Sequence, residues 1–142
     1  MTRVYLAGRL RDYPTARAWR QEAALLLSEH NISAVSPVYA PWEGDAPPAL
    51  TPRAVEWPDL EELRSCRYIL VAGGAGSGTG FALGYAFARR ENNEPGPAQV
   101  VWITDSGPPP PFIRLWEPAC VSTIQEAVAW IAAQEAVTNT GS

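Results

Sequence analysis

The residues most able to do chemistry lie in and around one run, Gly73-Gly-Ala-Gly-Ser-Gly-Thr-Gly80, where five glycines follow the apolar stretch Tyr68-Ile-Leu-Val-Ala72. Glycine permits positive φ and lets a ligand approach the backbone closely, and the next residues, Phe81-Ala-Leu-Gly-Tyr-Ala-Phe-Ala88, are rich in helix formers. A buried strand, a glycine turn and the opening of a helix are expected here. Free amides at a helix start, backed by the partial positive charge of the helix, suit an anion such as a phosphate or a carboxylate. The bland alternative is a tight turn, which needs one or two glycines rather than five. No lysine follows the last glycine and the spacing is not that of a dinucleotide fingerprint, so neither familiar phosphate motif applies.

Composition narrows the ligand. The chain has 142 residues, 46% of them hydrophobic, which is the size of one domain with a real core. No stretch is long enough to span a membrane. The opening, Met1-Thr-Arg-Val-Tyr, enters a strand with no basic-then-apolar leader, so a cytoplasmic location is expected. Cys66 and Cys120 stand far apart without a metal-ligand pattern, and the single His30 falls at a helix end. Both facts argue against zinc and against a histidine triad, leaving reduced structural thiols and no cofactor. A net charge of −4 argues against a nucleic-acid polymer, whose phosphates call for a basic face. A small ligand fits better.

The elements that must position the glycine run can be read in order. Arg3 to Gly8 is a second short apolar run ending in glycine, hence a strand and a turn. Pro14 to Glu29 reads as an amphipathic helix, with Ala18, Trp19, Ala23, Leu26 and Leu27 apolar and Arg17, Arg20, Gln21 and Glu22 between them. His30-Asn31 closes it, and Ile32 to Ser36 is a strand ended by Pro37. Pro37 to Pro58 carries five further prolines with Tyr39, Trp42 and Trp57. Such a long loop reads as a lid or a subunit contact, and Trp42, Trp57 and Trp116, lying in proline-rich loops, are expected at a subunit interface. Residues 59–66 form a short helix leading into the central strand. Beyond the glycine helix come an exposed connection over 89–97, a strand at Gln99 to Ile103, a stiff loop from Thr104 to Pro111, and at best a weak edge strand within Phe112 to Cys120. Ser122 can cap a last helix with Ile124, Ala127, Val128 and Ile131 on its apolar face. One domain over residues 1–137 with a frayed tail at 138–142 is expected. The alternation implies an α/β fold, a doubly wound, flavodoxin-like parallel sheet of five strands in the order 2-1-3-4-5. In that order the two glycine-ended strands are neighbours and discharge into one crevice, where such folds bind ligands.

Three pieces carry a family likeness: Val4-Tyr-Leu-Ala-Gly8, Ser36-Pro37, and Asp59 followed by the strand and Gly78-Thr-Gly-Phe-Ala-Leu-Gly-Tyr-Ala86. In these the chain resembles the nucleoside 2-deoxyribosyltransferases and the related 2'-deoxynucleoside 5'-phosphate N-hydrolases, over about residues 3 to 103. The resemblance implies cleavage or exchange of the bond between a base and a 2-deoxyribose, by a carboxylate that attacks the anomeric carbon. It implies catalytic positions at Ala82 and Asp59 and substrate contacts at Tyr5, Gly8, Arg9, Ser36, Gly76, Ser77, Gly78 and Thr79. Residue chemistry alone reads Tyr5 and Trp19 as core. The resemblance also implies sites completed across subunits, in a homodimer or higher homo-oligomer.

The departures are at the chemistry. The family nucleophile is a Glu in a Gly-Thr-x-x-Glu-Leu-Gly pattern, and Ala82 stands at the matching position. An Asp usual at the end of the preceding helix is Arg67, and a Pro usual after the first glycine is Arg9. Ala82 admits three explanations: a pocket deliberately silenced to trap a ligand, a natural member that only binds, or chemistry moved to another carboxylate. Arg9, with its fork of donors, and the Ser77 hydroxyl would hold a 5'-phosphate, which favours nucleoside monophosphates over free nucleosides. Binding without hydrolysis or transfer is the expectation, with a non-catalytic nucleotide sensor or sequestering protein as the alternative.

Overall fold

The computed structural model describes residues 1–8, 13–36 and 60–140. Five strands, β1 (Arg3–Ala7), β2 (Ser33–Val35), β3 (Tyr68–Val71), β4 (Gln99–Ile103) and β5 (Ala119–Val121), form one parallel sheet in the order β2-β1-β3-β4-β5. This is the order expected from the sequence. Five helices accompany it among the described residues: α1 (Tyr13–Ser28), α2 over 60–64, α3 (Ser77–Glu91), α4 (Pro111–Arg114) and α5 (Ile124–Thr140).

Alternation along the strands sorts the side chains into two layers. Val4, Leu6, Tyr68, Leu70, Val101 and Ile103 pack with Ala23 and Leu27 of α1 and with Ala127, Val128 and Ile131 of α5. Tyr5, Ala7, Ile69, Val71, Val100 and Trp102 pack with Leu63 of α2, Leu83 and Ala86 of α3, and Ile113 of α4. Both faces of a parallel sheet are thus covered, which explains why its strands read as continuous apolar runs.

Helix ends follow local chemistry. At the end of α1, Asn31 takes φ +59°, and the Asn31 and Ile32 amides donate to Ser28 and Leu27 carbonyls. Asn93 repeats this after α3 with φ +56°, its own amide and that of Glu94 donating to Arg90 and Arg89. Both are left-handed caps of the kind asparagine tolerates. Thr123, not Ser122, caps α5: the Glu126 amide donates to Thr123 Oγ1 at 3.1 Å, while Glu126 Oε2 accepts from the Ser122 amide at 2.9 Å. This is close to a reciprocal capping box.

Four local expectations need correction. The glycine run is not all turn, because α3 begins at Ser77 within it; packing of Ala82, Leu83 and Ala86 on the sheet outweighs the poor helix propensity of glycine. The stiff loop contains a 3-10 turn at Thr104–Ser106, and α4 precedes the three-residue edge strand. Trp116 is buried against Phe87, ring centroids 5.5 Å apart, rather than displayed in a loop. The last helix runs on to Thr140, beyond the expected fray at 138.

At the N-terminal edge of the sheet, Thr2 and Tyr68 donate hydroxyl hydrogen bonds to Glu135 of α5, the latter at 2.7 Å, and Arg67 approaches it at 3.4 Å. Burial works against charge on Glu135, but the bonds from Thr2 and Tyr68 and the charge of Arg67 outweigh it and hold the carboxyl below its ordinary range. Burial, then the bond to Glu135, pushes the Tyr68 hydroxyl well up.

Candidate functional site

β1 and β3 run side by side, with Leu6 opposite Leu70 and Ala7 opposite Val71, so Gly8 and Gly73 leave the sheet at adjacent points of its C-terminal edge. The Ala72 amide donates to the Ala7 carbonyl at 3.2 Å, carrying the ladder one step past the strands. Gly8 has φ +148°, and a Cβ there would stand 2.1 Å from the Ala72 carbonyl oxygen and 3.3 Å from Trp19 Cζ2. Glycine is required at Gly8 on both counts. On β3, Gly73 and Gly74 turn the chain with φ +73° and +78°. Gly76 then caps α3 in an extended conformation, with no side chain on the cap, and the helical ladder opens with the Gly80 amide on the Gly76 carbonyl at 2.9 Å. This switch point of the strand order is where doubly wound sheets hold ligands.

The residues expected from the sequence are distributed unevenly around this edge. Gly76, Ser77, Gly78 and Thr79 form the cap and first turn of α3; Thr79 is buried, and the Ser77 side chain lies outside the described residues. Ala82 is 8% exposed and shares an apolar cluster with Tyr5, Ala7 and Val71. It lies in the second turn of α3, not the first, because the helix starts earlier than expected. Tyr5 is buried in that same cluster. Ser36 follows β2 at the same edge, next to Val35, which pairs with Tyr5. Arg9, Asp59 and the whole 37–58 loop with Trp42 and Trp57 lie outside the described residues.

Two charged groups at this edge were not anticipated. Asp105, just past β4, accepts the Gly73 amide with both carboxylate oxygens, at 3.1 and 3.2 Å. An acid directly after a central strand of such a sheet stands at the ligand edge by topology alone, and that was the signal available. Arg20 of α1 belongs to the core rather than the polar side of its helix, at 3% exposure. Its two terminal nitrogens donate to the Ala16 and Gly8 carbonyls, each at 3.1 Å, and its guanidinium stacks 4.5 Å from the Trp19 ring centroid. Burial pulls its pKa down to about 10, partly offset by Tyr5, so it remains charged at neutral pH.

Burial pushes the Cys66 thiol up to about 11, which disfavours the thiolate that nucleophilic chemistry needs. Among the described residues no three His, Cys, Asp or Glu side chains converge as a metal site requires, and no helix is long and apolar enough to cross a membrane.

No protein-family model matches the chain, and no curated protein matches it. Solved structures do. A conserved protein from Enterococcus faecalis V583 superimposes with a TM-score of 0.68 at 16% identity, covering 94% of this chain and 99% of that one. A 2-desoxiribosyltransferase from Leishmania mexicana superimposes with a TM-score of 0.52 at 18% identity, covering 74% of this chain and 66% of that one. At such identities the likeness is one of fold alone: the five-stranded parallel α/β architecture of this chain superimposes on both structures.

Proposed function

We propose that the crevice between β1 and β3 binds a nucleoside 5'-monophosphate, and that the chain is a form of an N-glycosidic hydrolase or transferase in which Ala82 leaves the chemistry silent. The observation that carries this reading is the meeting of the Gly8 and Gly73 turns at one edge, with Ala82 packed toward Tyr5 and Ala7 beside it. In this reading the free amides of the first turn of α3 receive the phosphate, aided by Arg9 and Ser77, and Asp59 orients the sugar. Water or a second base would accept the sugar in an active form, by way of a glycosyl carboxylate. A methyl group has no lone pair to attack an anomeric carbon. That single fact favours the second reading, a non-catalytic nucleotide sensor or sequestering protein of the same fold.

Incubation with each deoxynucleoside monophosphate, monitored for free base, tests both. The native chain should bind nucleotide and release no base. Ala82→Glu should raise release on the order of 100-fold or more, well inside what a missing nucleophile costs a hydrolase, and Asp59→Asn in that background should lower it. A carboxylate at 82 would be nearly buried, which raises its pKa and demands hydrogen-bond partners. A folded, nucleotide-binding Glu variant that releases no base from any common deoxynucleotide would remove the glycosidase reading and leave the binding protein.

Self-association belongs to the same proposal. Trp116 does not support it, being buried, but Phe81, Phe112 and Leu115 on α3 and beside α4 are each more than half exposed. Apolar groups exposed together in this way mark interfaces. Sedimentation should find a dimer or larger species at micromolar concentration, and a monomer alone would contradict it.

A further inference from the structure

Asp105 brings one anion to the turn on which the proposed function seats another. Its carboxylate takes the Gly73 amide with both oxygens, at 3.1 and 3.2 Å, and that amide opens the glycine turn ahead of α3. Gly73 and Gly74 hold the turn in the left-handed region, with φ +73° and +78°, which sets the direction in which the amide points. A carboxylate of the chain itself therefore sits on this turn as a phosphate oxygen would.

The segment that carries Asp105 is held independently of that contact. Trp102 Nε1 donates to the Gly107 carbonyl at 2.9 Å, the Gly107 amide to the Thr104 carbonyl at 3.1 Å, and Thr104 Oγ1 to the Val121 carbonyl at 3.2 Å. The backbone at 105 is thus anchored to β4 and to the end of β5. The side chain is exposed, so rotation about its own torsions is enough to carry the carboxylate off the turn. Release is cheap, because water takes over the hydrogen bonds of an exposed carboxylate. Retention is not neutral, because a fixed negative charge opposes a phosphate seated a few ångströms away.

We infer that the Asp105 carboxylate is a built-in competitor for the oxyanion of the ligand, holding the Gly73 amide until a phosphate group displaces it toward solvent. It thereby lowers the affinity of the turn for phosphate-bearing ligands and leaves that for uncharged ones alone. The inference rests on the reading of the turn between β3 and α3 as the phosphate seat, but not on any N-glycosidic chemistry there.

The test uses the full chain at constant ionic strength, titrated in a calorimeter with inorganic phosphate, a deoxynucleoside 5'-monophosphate and the matching nucleoside. Asp105→Asn keeps the size of the side chain and an acceptor for Gly73 but removes the charge. It should bind phosphate and the monophosphate about tenfold more tightly than the native protein does, with nucleoside affinity unchanged. Asp105→Ala, which lacks both charge and acceptor, should show the same gain. Unchanged phosphate affinity in Asp105→Asn overturns the inference. So does an equal change for all three probes, which is what a carboxylate that only staples the turn predicts. A measurement on the native protein needs no variant to fold: the Gly73 amide resonance should move on phosphate titration as its partner changes, and an unmoved signal overturns the inference. Base release separates this from the proposed function. Monophosphate binding and cleavage with no gain in Asp105→Asn sinks the inference alone, and a phosphate gain in Asp105→Asn without cleavage in Ala82→Glu sinks the glycosidase reading alone. No binding of phosphate or monophosphate to the native protein or either variant removes the phosphate seat, and the inference with it.

Discussion

Gly8→Ala probes the contact on which the site depends. The new Cβ would stand 2.1 Å from the Ala72 carbonyl oxygen and 3.2 Å from its carbon. A carbon–oxygen contact settles at about 3.3 Å or more, so one strand end must retreat by roughly 1 Å. The obstacle is backbone, which has no rotamer to change. Forced packing of this kind costs about 1–3 kcal/mol, loss of the bond from Ala72 to Ala7 about 1 kcal/mol, and an alanine at this φ about 1 kcal/mol more. The sum, about 3–5 kcal/mol, is a large part of the ~5–15 kcal/mol that holds a domain together. Melting followed by circular dichroism should fall by on the order of 10–20 °C. Gly84→Ala is the internal control: nothing lies within 4 Å of its Cβ position and it sits inside α3, so alanine there should stabilise by up to about 1 kcal/mol. A Gly8→Ala protein melting within about 3 °C of the parent would refute the closure of β1 on β3.

Glu135→Ala should cost about 2–4 kcal/mol in urea denaturation, because the Tyr68 and Thr2 hydroxyls lose their acceptor. Since the folded state holds the Glu135 carboxyl below its unfolded pKa, its contribution is present above the unfolded value and lost as pH falls through the folded one. From about pH 5 to pH 3 the native protein should therefore lose stability that Glu135→Gln does not lose, and parallel pH curves would count against the network. Asp105→Ala, at an exposed carboxylate, should change melting by less than about 1 kcal/mol, yet speed hydrogen exchange at the Gly73 amide several-fold. Unchanged protection at Gly73 would show that the Asp105 bond does not hold the turn.

Strand order was legible because it needs only apolar runs and their punctuation: Val4 to Ala7, Ile69 to Val71 and Val100 to Ile103 are unmistakable, and alternation with helices leaves few topologies. The start of α3 was not, since glycines at 78, 80 and 84 argue locally for a turn while Leu83 and Ala86 bury the same segment on the sheet. Arg20 was misplaced for a related reason. Helical spacing assigns a charged residue to the wet side, and nothing in one sequence reveals that two carbonyls and Trp19 wait inside to receive it. Asp105 sat in a proline-rich stretch that reads as connection, although its place just past β4 brings it to the Gly73 turn. Gly8 and Gly73 were read from apolar runs that end in glycine and Ala82 from the family resemblance; such signals report backbone placement well and electrostatics poorly.

The tie between Thr2 and Glu135 joins residues 133 positions apart, and it bears on how the chain is made. β1 is a central strand, paired on both edges by β2 and β3, yet α5, which covers part of its layer, is synthesised after all five strands. Until α5 arrives, Val4, Leu6, Leu70 and Val101 lack a large part of their cover, and a growing chain presents them to solvent and to chaperones. A ribosome stalled before residue 135 would thus hold a sheet able to pair but not to close, and α5 once complete acts as the latch that ends that exposure.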